Sequence, residues 1–192
     1  MRRTYSLSNA PGSDRYRISV RREPLGLVSR HLHDRVEAGA IVSARAPAGD
    51  FVLGCTNCPV ALISAGVGLT PMLSMLYQLA AAGAERPIWW LHGARDGAHH
   101  ALADEVAQLA ARHPNLSTRV AYSRPAPGDE LGVHYDVQGR VDAKLVADFV
   151  DASDAQYYLC GPTRFMASVQ DGLETRGVCS ERIHTESFGP VG

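Results

Sequence analysis

The stretch "GVGLTP", Gly66 to Pro71, combines residue types and spacing that suit phosphate chemistry. Gly66 and Gly68 allow positive φ and let a phosphate approach the backbone with no Cβ in the way. Thr70 is placed to cap a coming helix, and Pro71 suits its first turn, where a missing N–H costs nothing. With Val67 and Leu69 between them, the free amides and the helix dipole face an anion. The third glycine of the usual dinucleotide fingerprint is replaced by proline. A tight strand-to-helix turn without a ligand is therefore the competing reading, but the flanking pattern is the one the motif requires, and dinucleotide phosphate binding leads. "CTNC" (55–58) has the spacing of a zinc or redox knuckle. A structural zinc needs a second ligand pair, so this stretch reads as a linker loop and no metal site is expected. The plant-type iron–sulfur spacing is absent, as are a Ser/His/Asp order and a Walker lysine. His99 and His100 read as the opening of a helix, and Glu105 as part of that helix's solvated face.

The elements that must position these residues come in two rhythms. Up to about residue 55, short extended pieces alternate with turns: Arg3–Ser8, Tyr16–Arg22, Ile41–Ala46 and Phe51–Leu53. One helical pattern interrupts them, 28–36, with Val28, Leu32 and Val36 at i, i+4 and i+8. Such strands suggest a barrel or part of one. From residue 59, buried strands alternate with helices. Strands are expected at 59–65, 87–94, 117–123, 155–160 and 182–188, and helices at 71–82, 99–112, 142–150 and 162–176. The expected fold is α/β plus β: a partial barrel over 1–55, then a five-stranded doubly wound parallel sheet over 56–192. Ligands of such sheets lie at the carboxyl ends of the strands.

The totals bound the function. The 192 residues hold one generous domain or two small ones, and 45% apolar residues suit a packed core. With 19 basic against 20 acidic residues, nothing favours nucleic acid or anionic lipid as a partner. No apolar run approaches the ~20 residues of a membrane helix, and no charged-then-apolar leader is present. Four cysteines are too sparse for a disulfide framework in a chain this size. The chain reads as cytoplasmic.

Four ordered segments, "RTYS" (3–6), "GVGLTP" (66–71), "YLCGP" (158–162) and "ESFGP" (186–190), together resemble the ferredoxin–NADP reductase superfamily, and within it the reductase module of flavohaemoglobins. The resemblance runs over essentially the whole chain. It implies a flavin-dependent NAD(P)H oxidoreductase that passes electrons through FAD to a haem acceptor, with nitric oxide dioxygenation as the overall activity. It further implies that Arg3 pairs with the FAD pyrophosphate, that Tyr5 lies on the flavin, and that Thr4 and Ser6 complete that strand. Guanidinium suits phosphate, and an aromatic ring stacks on a flat ring system. "GLVS" resembles the second flavin element, implying pyrophosphate contact by Gly26 and Ser29; helix capping is the alternative. Cys160, with Gly161 and Pro162, is implied beside the nicotinamide, though free Cys is often a buried structural thiol. Glu186 is implied near the reactive edge, and Ser187, Phe188, Gly189 and Pro190 against FAD. Ser123 and Arg124 match the Ser–Arg pair with which NADP-selective relatives hold the 2′-phosphate. NADPH is expected with NADH tolerated, and Asp96 is a residue that could oppose a phosphate.

In the family, the "RxYS" strand falls inside a six-stranded barrel. Here it opens the sequence, so the chain is expected to be a piece of a larger reductase or a subunit completed by another polypeptide, with impaired FAD affinity in isolation. The implied partner is an electron-acceptor domain, either globin haem or an iron–sulfur domain serving an oxygenase. A nucleotide-binding remnant without turnover is the remaining alternative.

Overall fold

The computed structural model describes residues 3–54, 57–83 and 85–188. The described residues up to 54 contain one helix, α1 (Leu27–Arg35). Thereafter the order is β1 (Val60–Ala65), α2 (Leu69–Ala81), β2 (Ile88–Ala94), α3 (Ala103–Arg112), β3 (Leu116–Tyr122), β4 (Val137–Gln138), α4 (Ala143–Phe149), β5 (Gln156–Cys160), α5 (Thr163–Glu174) and β6 (Ile183–Glu186). The six strands form one parallel sheet in the order β4-β3-β2-β1-β5-β6.

The order follows from burial. Val60, Ala61, Leu62 and Ile63 of β1 are all at most 1% exposed, which suits the central strand of a sheet covered on both faces. Alternate residues serve opposite faces. Leu62, Trp90 and Tyr158 pack under Met72, Leu76 and Leu79 of α2 and Val106 of α3. Ile63, Leu91 and Leu159 meet Val146 of α4 and Met166, Val169 and Leu173 of α5. The chain winds from β1 outward through β2, β3 and β4, then returns to place β5 on the other side of β1. The crevice between β1 and β5 is therefore the switch point at which open α/β sheets hold their ligands.

Five of these strands and all five helices coincide with the expected ones within a few residues. The two-residue β4 was not anticipated, because it lies in a Pro/Gly-rich loop too short to show a period; it registers on Ala121 and Tyr122. The expected strands before residue 55 differ more. Among the described residues there, the pairing is a single antiparallel bridge, Leu7 to Ile18. A ladder requires a partner for its N–H and C=O groups. The 41–46 segment has none in the described structure, and Ile41 is 98% exposed. The N-terminal part is thus extended chain laid on the sheet domain and tied to α1, where Arg22 grips Asp34 with two 2.9 Å hydrogen bonds.

Two helix starts differ from the sequence reading. The glycine turn is itself a 3-10 turn (Gly66–Gly68) running straight into α2. Thr70 consequently lies inside the helix, donating its hydroxyl to the Val67 carbonyl (3.2 Å) rather than capping. His99 and His100 do not open α3: His99 ends a 3-10 turn (Gly97–His99) capped by Asp96, and Leu102 at φ 58 separates that turn from α3. No described helix is long and apolar enough to cross a membrane.

Candidate functional site

A cleft of about 920 Å³ opens at the carboxyl ends of the strands. Its walls come from the ends of β1 (Ala65, Gly66), β2 (Ala94, Arg95), β3 (Ser123) and the loop after β5 (Pro162), with Ser19, Val20 and Arg21 of the N-terminal segment closing one side. Such a volume is in the range of nucleotide-sized ligand sites.

The glycine turn divides its labour. Gly66 has φ +56, and a Cβ there would meet nothing within 4 Å, so its backbone is open toward the cleft. Val67, Leu69 and Thr70 line the cleft beside it. Gly68 faces the other way: a Cβ on it would lie 2.1 Å from the Cys160 carbonyl oxygen. Its role is close approach of the turn to β5, and Pro71 is likewise buried in the first turn of α2. A cradle of unblocked backbone beside a helix start fits a phosphate.

Charge agrees. Arg21, Arg95, Arg140 and Arg164 line the cleft, against the single carboxylate of Asp142. That carboxylate accepts the Leu145 N–H at 2.8 Å as the cap of α4. Asp96 does not oppose a phosphate from inside the cleft. Its carboxylate takes the His99 N–H at 3.2 Å, the His99 ring at 2.6 Å and Arg95 Nε at 3.1 Å. His99 first, then Arg95, holds that carboxyl below its ordinary range despite some desolvation. Asp96 thereby orders Arg95 and His99 at the rim of the cleft.

The remaining sequence-derived residues divide between cleft, core and surface. Ser123 lines the cleft, whereas Arg124 is exposed outside it and donates its backbone N–H to the Arg95 carbonyl (2.8 Å). Cys160 is fully buried among Leu69, Met72 and Tyr158, not on the cleft wall. Burial, and then the Glu186 charge, pushes its thiol up to about 12, so it is uncharged at neutral pH. Gly161 is buried behind it. Glu186 ends β6 in register with Cys160, and Ser187 and Phe188 follow as exposed residues; Gly189 and Pro190 lie outside the described residues. Arg3 and Thr4 are exposed, while Tyr5 and Ser6 are half-buried on the extended segment leading to the Leu7–Ile18 bridge. Ser29 Oγ is occupied at the start of α1, taking the Glu23 N–H (3.2 Å) and donating to the Gly26 carbonyl (3.4 Å). Neither bond caps the helix: Gly26 is the N-cap position, and no side chain caps α1. Cys58 is disulfide-bonded; Cys55 lies outside the described residues. No cluster of metal-binding side chains occurs among the described residues.

Sequence reasoning missed the four arginines, because they stand at four unrelated places in the chain. It also missed a buried polar row behind the cleft. Ser64 Oγ lies 2.9 Å from His92 Nδ1, His92 stacks on His100 at 5.1 Å, and His100 reaches the Tyr122 hydroxyl at 3.0 Å. Burial, then His100, drives His92 down to about 3, so the ring is neutral.

Residues 62–171 match the model of the oxidoreductase NAD-binding domain. Over 188 residues the chain is 47% identical to a flavohemoprotein of Deinococcus radiodurans, covering 98% of this chain and 47% of that protein. The chain thus spans about half the length of this relative. Among solved structures it is similar to the flavohem-like FAD/NAD binding domain of nitric oxide dioxygenase from Vibrio cholerae, with a TM-score of 0.86 and 40% identity, covering 97% of this chain and 76% of that one. It is also similar to a cytochrome P450 reductase from Amycolatopsis, with a TM-score of 0.87 and 28% identity, covering 100% of this chain and 58% of that one.

Proposed function

The chain belongs to the oxidoreductase NAD-binding domain family, as a flavin-dependent NAD(P)H oxidoreductase module of the flavohaemoglobin type, and we propose that it delivers electrons to a haem held in a globin domain. The overall activity of the assembled protein would then be nitric oxide dioxygenation, and its site of action the cytoplasm. The observation that carries the reading is the cationic cleft at the β1/β5 switch point, with the open Gly66 backbone at one wall and the N-terminal segment at the other.

NAD(P)H supplies a hydride, and bound FAD converts that two-electron donor into single electrons for the acceptor. The chain's own work is to bind, orient and exclude water. In this reading the Gly66–Gly68 turn and the start of α2 hold the pyrophosphate of the nicotinamide nucleotide, and arginines at the rim neutralise it. Pro162 and Phe165 supply apolar wall for its rings. Cys160, neutral and buried, shapes the floor from below and does not act as a nucleophile. Tyr5 and Ser6 present the flavin from the extended segment, whose continuation at Ser19–Arg21 borders the same cleft. Phe188 and Glu186 close the far side of the flavin.

For the nucleotide preference, Ser123 keeps its place, and Arg95 replaces Arg124 as its cationic neighbour, because Arg95 is the one on the cleft wall. The preferred donor is NADPH, with NADH tolerated. A haem acceptor is favoured over an iron–sulfur one by the higher identity to the flavohemoprotein, 47%.

The deciding experiment adds FAD and NADPH to the purified chain and follows reduction of ferricyanide and of a supplied globin haem. Turnover with ferricyanide and haem is the expected result. Tight NADP⁺ binding with no electron transfer would instead identify a nucleotide-binding remnant.

A further inference from the structure

Glu105 was expected on the solvated face of α3, yet it is the centre of a network joining the two parts of the chain. Arg17 Nη1 and Nη2 donate to the two Glu105 carboxylate oxygens at 3.0 and 2.9 Å. The Tyr77 hydroxyl on α2 donates to the same carboxylate. Arg17 in turn reaches back to the extended segment: its Nε is 3.2 Å from Ser8 Oγ, and its Nη2 donates to the Ser8 carbonyl. Ser8 is fully buried, and its N–H donates to the Arg17 carbonyl at 2.8 Å. One residue on, Asn9 takes the Arg17 N–H on its side-chain oxygen (2.8 Å), and its carbonyl receives the Ser74 hydroxyl of α2 at 2.9 Å.

The segment carrying Tyr5 and Ser6 is therefore held at two points on two helices, and both helices border the nucleotide cleft. α2 begins at the glycine turn, and Ser74 stands four residues after Thr70, roughly 6 Å along the axis. α3 begins after Leu102, which lines the cleft. The electrostatics are those of a closed network. Burial works against the Glu105 charge, but hydrogen bonds from Arg17 and Tyr77 outweigh it and keep the carboxyl below its ordinary value. The Glu105 hydrogen bond leads in holding Arg17 above its own.

We propose that Glu105, through Arg17 and Tyr77, is a positioning residue that fixes the flavin-bearing segment relative to the nucleotide cleft and so sets the hydride-transfer geometry. The inference rests on the flavin reading given above. Hydride transfer is sensitive to such placement because the reacting atoms must be held near contact distance and in line. None of the three residues lines the cleft, so loosening them changes the approach of the two cofactors and not nucleotide affinity.

The test uses the full chain loaded with FAD, as wild type, Glu105→Gln and Arg17→Lys. The first variant removes the charge at constant size, and the second keeps a charge but loses the two-pronged geometry. Amide hydrogen exchange over residues 7–19 should rise roughly tenfold, the scale of a charge-assisted pair partly open to solvent. Amides of β1, β2 and β5 should exchange as in wild type. Flavin reduction by saturating NADPH in a single turnover should slow by a comparable factor while the NADP⁺ dissociation constant stays unchanged. Arg17→Lys, at the more exposed partner, serves as the second route should Glu105→Gln fold poorly. Unchanged exchange over 7–19 in both variants overturns the proposal, as does raised exchange with an unaltered rate of flavin reduction. A wild-type chain that takes up no FAD sinks the flavin reading and its kinetic consequence, while the exchange data still decide whether the network holds the segment.

Discussion

Replacing Gly68 by alanine sets a methyl group 2.1 Å from the Cys160 carbonyl oxygen, 2.4 Å from its carbon and 2.8 Å from the Gly161 nitrogen. All three atoms are backbone at the end of β5, so no side-chain rotation relieves the clash. The turn must lift away from β5, and that drags the start of α2, where Leu69, Met72 and Leu73 are at most 3% exposed. Overpacking of a core costs about 1–3 kcal/mol, and a clash with rigid backbone belongs at the upper end. At roughly 2–4 °C per kcal/mol for a domain this size, Gly68→Ala should lower the Tm by ~6–12 °C. Gly66→Ala is the control from the same turn. It faces open space but holds φ +56, which costs an L-residue about 1–2 kcal/mol. Its methyl enters the space where the phosphate would approach. Thermal unfolding by circular dichroism and calorimetric titration with NADP⁺ separate the two. Gly68→Ala should lose stability first, and Gly66→Ala should lose nucleotide affinity by tenfold or more while staying folded, on the order of one blocked charge-assisted contact. A Gly68→Ala protein melting within about 2 °C of wild type would refute the close approach. Unaltered NADP⁺ affinity in Gly66→Ala would refute the cradle.

Three further outcomes are expected. In native protein, iodoacetamide should label the exposed Cys179 and leave Cys160 untouched until unfolding, because burial keeps the latter thiol protonated; peptide mass mapping of a native Cys160 adduct would count against its buried placement. His92 is held down to about 3 in the folded protein, from 6.5. Between those values the unfolded chain binds the extra proton, so stability falls as pH drops below about 6.5. This amounts to about 2 kcal/mol by pH 5 for one such group. Urea unfolding at pH 5 and pH 7 should show that loss reduced in His92→Gln, and an identical pH dependence in the variant contradicts it. Finally, Arg95→Ala should cut the NADPH-over-NADH ratio of kcat/KM by roughly tenfold, while Arg124→Ala leaves it within about twofold, as suits one charged contact at a half-exposed rim. The reverse ranking would return the 2′-phosphate to Arg124.

Much of the molecule was legible from contiguous residues. Apolar runs such as "PVALISA" and the i, i+4, i+8 spacing of Val28, Leu32 and Val36 are local properties, and such patterns placed α1, β1, β2, β3, β5, β6 and the helices between them. The glycine turn was legible for the same reason: its strand, its glycines and its helix are neighbours in sequence. Four motifs in order also carried the family. What sequence could not decide was which way side chains turn and which distant residues meet. Cys160 was implied at the nicotinamide, but β5 alternates its faces, and Cys160 shares the core side with Tyr158. The adjacent pair Ser123 and Arg124 separates at the strand end, leaving one inside the cleft and one outside. Arg95, Arg140 and Arg164 are brought together by the strand order β4-β3-β2-β1-β5, and Arg21 joins them from the N-terminal segment laid beside it, neither of which a local pattern encodes. Glu105 and Arg17, 88 residues apart, look like ordinary surface charges until the extended segment is laid across α2 and α3. Local periodicity thus wrote the elements and the glycine turn. Where the other candidate residues point, and the join between the extended segment and the sheet domain, were decided by tertiary packing, because they depend on strand order, side-chain facing and contacts between distant residues.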